Sequence, residues 1–219
     1  MTGGDRAALA SGLLLSFALA PAAGVAQIAA SGTALVSFAE HRVDIGYGVE
    51  KSSGLLLGAE GAVALWSRLT LGIRAAGGAL STQAVGAQDR DLGEVGIQAS
   101  VVPARWLALR GGPTWRTYST AIARQRWTML ELGAEARLDF ATSPVRGVLR
   151  AGLLPVVSVE GLPGPDVALT AAAGIEYSAG SVTGGLFYGL ERYDFPDHGA
   201  GRRLEQVSAL TVRLSVRRH

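Results

Sequence analysis

The side chains with the most reactive repertoire are scarce and scattered. The chain holds three histidines, His41, His198 and His219, and their positions share no metal-ligand spacing. The densest acid/base grouping is Asp194, Asp197 and His198, which a loop could gather into a carboxylate–imidazole site. Glu131 and Glu135 invite comparison with paired carboxylates, but four positions along an extended chain separate them by about 13 Å, too far to share a proton. No glycine cluster falls between a buried strand and a helix, so no phosphate-binding loop is formed. This leaves no catalytic, metal or cofactor assignment, and any hydrolase activity would rest on His198 and its two aspartates.

The elements that must position these residues are strands. A period of two recurs along the chain, and a pleat places alternate residues on opposite faces. The last segment shows it best: Leu210, Val212, Leu214 and Val216 share one face, and Thr211, Arg213, Ser215 and Arg217 the other. Working backwards, Val182/Leu186/Tyr188/Leu190 oppose Thr183, Gly185, Gly189 and Glu191, with Phe187 the one bulky apolar residue on the polar side. Val167/Leu169/Ala171/Ala173/Ile175/Tyr177 oppose Thr170, Gly174 and Glu176. Leu149/Ala151/Leu153/Val157 oppose Arg150 and Gly152, and Leu130/Leu132/Ala134/Ala136/Leu138/Phe140 oppose Glu131, Gly133, Glu135, Arg137 and Asp139. Five earlier segments behave alike, with outward sets Leu107/Leu109/Trp115, Val95/Ile97/Ala99/Val101, Leu69/Leu71/Ile73, Leu55/Leu57/Ala59/Val63/Leu65 and Val43/Ile45/Tyr47/Val49. That makes about ten strands; eight would remain if the first or shortest segments stayed unpaired.

The connections alternate in kind. Tight ones fall at 66–68, 102–105, 142–144 and 179–180; longer or more polar ones at 51–54, 80–92, 119–126, 161–166 and 196–203. Short turns on one rim and longer loops on the other describe an up-and-down barrel crossing a membrane. An Arg-led motif after the tight turns, Arg68-Leu69-Thr70-Leu71 and Arg105-Trp106-Leu107-Ala108-Leu109, marks a hairpin unit.

The polar face separates a membrane barrel from a soluble one. It carries Glu60, Arg74, Glu94, Arg110, Glu131, Glu135, Arg137, Asp139, Arg150, Glu176 and Arg213 among many of the thirty glycines, and Lys51 is the sole lysine. Mixed Arg and Glu suit a narrow lumen in which charges pair, and glycine lets the wall curve. Aromatics near strand ends, Trp66, Trp106, Tyr118, Trp127 and Tyr193, are expected as membrane-interface girdles.

Residues 1–26 read as an export signal, with Arg6 ending a charged stretch, Ala7 to Ala20 nearly all apolar, and small residues at Gly24-Val25-Ala26. A short segment 27–33 and a barrel domain 34–219 follow. The absence of cysteine means that stability rests on a closed hydrogen-bonded network or a large core. A formal net charge of +2 with no basic run excludes nucleic acid as a partner.

Over roughly residues 34 to 218 the chain resembles the broad class of small Gram-negative outer-membrane β-barrels, including outer-membrane protein A-like and porin-like families. The resemblance implies an all-β, closed antiparallel transmembrane barrel, contact with outer-membrane lipids and lipopolysaccharide (Arg202 and Arg203 being candidates), and insertion by barrel-assembly machinery. One departure is the end Val216-Arg217-Arg218-His219, where such barrels usually carry an aromatic. The functions compatible with this pattern are a structural or surface-interaction barrel with a salt-bridged lumen, a narrow channel for small polar solutes, or a secreted soluble binding barrel.

Overall fold

The structure is a computed structural model that describes residues 29–83, 88–141, 143–197 and 201–218; the expected export signal, His198 and His219 lie outside them. Ten antiparallel strands form one closed barrel in which each pairs with its neighbours in sequence and the first with the last. They are β1 (Ala30–Asp44), β2 (Val49–Trp66), β3 (Leu69–Thr82), β4 (Arg90–Ala104), β5 (Leu107–Ser119), β6 (Arg124–Asp139), β7 (Val145–Val159), β8 (Val167–Ala179), β9 (Val182–Phe195) and β10 (Arg203–Arg218). The seam closes from Ala30↔Arg218 to Asp44↔Leu204. Inside that seam, hydroxyl pairs Thr33–Ser215 and Ser37–Thr211, each 2.8 Å, tie β1 to β10.

The described strands contain the alternation read from the sequence, and its outward set is apolar. Leu55, Leu57, Ile73, Leu109, Leu132, Leu153, Ile175, Val212 and Leu214 are among the exposed outward side chains. A contiguous apolar surface of this kind belongs against lipid, and the closed backbone leaves no strand edge to be satisfied there. Two inward glycines show how the wall curves. A Cβ at Gly54 would lie 2.0 Å from the Ala79 carbonyl oxygen, and one at Gly78 would lie 2.1 Å from that of Leu55. Strands β2 and β3 can approach this closely only without those side chains.

Strand lengths reveal a second zone. The strands run from 13 residues in β5 to 18 in β2, whereas a tilted transmembrane strand needs about 9–11. Toward the longer loops the alternation inverts. On β1 the outward series Ala34, Val36, Phe38 gives way to Glu40, Arg42, Asp44, while the inward series passes from Thr33, Leu35, Ser37 to Ala39, His41, Val43. On β6, outward Leu132 and Leu130 give way to Thr128, Arg126 and Arg124, and inward Glu135 to Met129 and Trp127. On β9, outward Leu186 and Tyr188 lead to Arg192 and Asp194, and inward Glu191 to Tyr193 and Phe195. The barrel is polar inside where it crosses lipid and apolar inside where it stands in water.

This extension accounts for several differences from the sequence reading. Residues 51–54 and the ends of 80–92 and 119–126 are strand, not loop, because inward Leu80 and Leu92 belong to the apolar interior. The first strand begins at Ala30 and ends at Asp44, so Val43/Ile45/Tyr47/Val49 straddles a hairpin turn. The Ile45 amide donates to the Gly48 carbonyl at 3.1 Å, and the Gly46 amide, at φ +84°, to the Asp44 side chain at 3.1 Å. In β7 the register against β6 slips between Leu130/Val156 and Leu132/Leu153. Two residues, Leu154 and Pro155, therefore oppose Glu131 alone, a β-bulge that turns Val157 inward against the expected parity.

A charge on the outward face should sense these zones. Val212→Arg, in the lipid-facing belt, is expected to destabilise the folded barrel by about 2–4 kcal/mol, and Ser158→Arg, near the loops, by about 0–1 kcal/mol. Denaturant titration of both proteins in lipid vesicles measures the difference.

Candidate functional site

Most of the lumen's ion pairs between mid-barrel and the tight turns fall into three groups. At mid-barrel, Arg116 on β5 reaches Glu94 on β4 at 2.5 Å and Glu191 on β9 at 2.7 Å, and Arg74 on β3 meets Glu94 at 2.5 Å. One guanidinium thus joins walls 75 residues apart. The Tyr193 hydroxyl donates to Glu191 at 2.7 Å. Toward the tight turns, Glu135 on β6 accepts from Arg110 (2.8 Å), Arg137 (2.8 Å) and Arg150 (2.7 Å), and Arg110 also reaches Gln98. The third group is Arg213 with Glu60 at 2.9 Å. Between the second and third lies Phe187, with the Arg150 guanidinium 5.0 Å and the Arg213 guanidinium 5.3 Å from its ring centroid. The one bulky apolar residue on the polar side of its strand is therefore a cation–π spacer between two arginines.

Other expected lumen residues take different places. Glu131 and Glu135 join separate contacts, Glu131 accepting from the Thr170 hydroxyl at 3.3 Å. Asp139 sits exposed at the turn-side mouth with Arg146, 2.6 Å away. Glu176 faces Arg146 across the β7–β8 ladder. Sequence reasoning left Arg116 and Glu191 out of the network although both lay on the polar face; only the ring order of strands puts β5 and β9 on facing walls.

Toward the loops the lumen is filled by an aromatic stack. Tyr118 packs edge-on to Trp127 (centroids 6.2 Å), and Trp127 packs edge-on to Tyr193 (5.0 Å) and Phe195 (6.1 Å). Leu56, Leu80, Leu92, Met129, Leu154 and Val159 complete the cluster. Tyr118, Trp127 and Tyr193, expected at the membrane interface, are instead buried in this cluster, each at most 5% exposed. Each lies three positions from an outward residue of its own strand (Trp115, Leu130 and Leu190), and an odd offset reverses the face. Trp66 and Trp106 do lie exposed at the tight-turn rim, and Phe38, Trp115, Tyr177 and Tyr188 are outward aromatics on other strands.

The candidate acid/base residues do not assemble. Asp194 points outward and accepts from Arg202, whose Nε is 2.8 Å away. That hydrogen bond raises the Arg202 guanidinium above its ordinary value. His41, read as preceding the first strand, is instead within β1 and buried. It lies 2.9 Å from the Glu205 carboxylate on β10 and stacks on Tyr118 at 4.6 Å. Arg203 meets the other Glu205 oxygen at 2.7 Å, and Arg90 pairs with Glu50 beside them. At 3% exposure His41 has no open approach for a substrate, so the pair locks the β1–β10 seam beneath the loops. No group of His, Asp and Glu able to hold a metal occurs among the described residues.

An apolar outward belt, a closed ten-strand ring and a charged interior define the class: this is an outer-membrane β-barrel. Among solved structures, the outer membrane protease OmpT from Escherichia coli is similar in fold, with a TM-score of 0.57 and 10% identity over 87% of this chain and 96% of that one. The translocator domain of autotransporter NalP from Neisseria meningitidis gives a TM-score of 0.47 at 14% identity, covering 89% of each chain. No protein-family model and no curated protein matches the sequence.

The lumen groups differ in how much they support the fold. Glu135→Gln, which leaves three arginines around a neutral amide, is expected to cost about 3–5 kcal/mol, and Trp127→Ala about 3–5 kcal/mol. Arg202→Ala should leave the unfolding midpoint unchanged. The three midpoints, measured by the boiled-versus-unboiled gel shift across a denaturant series, test this ranking.

Proposed function

We propose that this protein is a closed-lumen outer-membrane barrel with a structural or surface-interaction role, and not a diffusion channel. The observation that carries the reading is the double obstruction of the bore: the Arg116–Glu191 bridge across it, and the Trp127–Tyr193 stack above that bridge. The cavity beside Arg74 and Glu131 measures about 20 Å³, room for about one water. Ion pairs with several partners each suit cross-bracing better than a conduction path, which needs sites weak enough for solutes to leave.

The surface offers the means of interaction. The collar above the lipid belt carries Arg124, Arg126, Arg192 and Arg202 facing outward or on loops, a charge pattern that complements anionic lipopolysaccharide head groups. Insertion through barrel-assembly machinery remains part of the same reading, as does a non-enzymatic role, since His41 is buried and Asp194 is engaged by Arg202.

In planar bilayers the protein should give no discrete conductance steps. The combined substitution Arg116→Ala, Trp127→Ala and Tyr193→Ala, which removes both obstructions, should introduce them if the barrel still shows its gel shift. Stepwise conductance from the unaltered protein would refute the closed-lumen reading.

A further inference from the structure

The ten seams are not equivalent. Strands β7 and β8 pair from Val145↔Tyr177 only as far as Leu153↔Leu169. Beyond that point β7 continues to Val159 on the ladder of β6, and β8 begins at Val167 on the ladder of β9, so the wall parts along its upper third. The β6–β7 bulge at Leu154 and Pro155 sits at the point of parting. Pro155 has no N–H to offer across the gap, and neither does Pro165 on the far side.

The gap is a cleft of about 460 Å³, lined by residues 153–157 and 165–169. Asp166 is its one ionisable lining residue, and its backbone amide is used, donating to the Asp194 carbonyl at 2.8 Å. At the front edges Leu153, Val156, Val167 and Leu169 are exposed in continuity with the lipid-facing belt. At the back Leu154 and Ala168 belong to the apolar cluster that contains Trp127, Met129 and Phe195. The opening therefore runs from the apolar belt to the apolar interior, with Asp166 the one ionisable side chain on its lining.

We propose that the β7–β8 seam is a lateral binding cleft for an acyl chain of a phosphate-bearing bilayer lipid. Three features select that occupant. A hydrocarbon chain fills an apolar slot of this volume, and the lower mouth of the slot, at Leu153 and Leu169, lies in the apolar belt. Leu153, Val156, Val167 and Leu169 at its mouth continue the apolar belt, so a membrane lipid reaches it without leaving the bilayer. Cationic side chains stand on both flanks: outward Arg126 on β6, whose carbonyl accepts from the Glu160 amide at 2.9 Å, lies above the cleft, and outward Arg192 on β9, register partner of Leu169, lies level with its base. Arg126 lies where the phosphate of a lipid whose chain occupied the slot would sit.

The test is photo-crosslinking in vesicles of a phosphatidylglycerol whose acyl chain ends in a diazirine, with sites read by mass spectrometry. Crosslinks are expected at Leu154 and Ala168 as well as at belt residues such as Leu132, and not at Leu80, which is equally apolar and inward but lies on β3 across the ring. Ala168→Trp, which fills the slot, should abolish the Leu154 crosslink and leave Leu132 unaffected. Labelling of Leu154 and Ala168 no stronger than that of Leu80, with Leu132 labelled, would overturn the proposal. So would a Leu154 crosslink that survives Ala168→Trp in a barrel that keeps its gel shift.

Discussion

Everything in this structure depends on the main-chain hydrogen bonds being closed into a ring. In hydrocarbon an unpaired N–H or C=O costs several kcal/mol, so a sheet can cross only if its last strand returns to its first. The β1–β10 seam does this over the full length of β1. Its side chains reinforce it at both heights: Thr33–Ser215 and Ser37–Thr211 hydroxyl pairs in the polar lumen, and the buried His41–Glu205 pair above. No disulfide assists; closure itself removes the edges at which another chain could add.

Once the ring is closed, every strand has an inside and an outside whose chemistry follows the solvent at that height. Within the bilayer the outside must be apolar, which leaves the charged residues nowhere to go but the lumen, where a low dielectric makes unpaired charge costly. The Glu135 and Glu94 clusters answer that constraint with several guanidinium contacts each. Above the bilayer the constraint reverses: water surrounds the wall, and Trp127, Tyr193 and Phe195 pack inside as in any soluble barrel. The inversion along β1, β6 and β9 is one covalent strand meeting two solvents.

The same logic marks the β7–β8 seam as unusual. Elsewhere the ladders run nearly the length of the strands, but here a bulge and two prolines end the pairing while both strands continue. A local breach in a structure whose stability rests on closure is the kind of departure that accompanies function.

By itself the sequence determined the fold class, a count of about ten strands with eight as the alternative, and within most strands which residues share a face, because alternation at period two is a local property that each residue carries with it. It also marked Phe187 as out of place on its strand and the lumen charges as a set. Only the tertiary structure decided which charges meet, since Arg116 and Glu191 are joined by the curvature that brings β5 opposite β9. It likewise decided where the membrane ends: Tyr118, Trp127 and Tyr193 have the composition of an interface girdle and the parity of a core, and parity counts only once the bulge and the strand starts are known. The first strand was misplaced for the same reason, because Val43 to Val49 alternates as well across a turn as along a strand, and only the pairing of Asp44 with both Val49 and Leu204 separates the two.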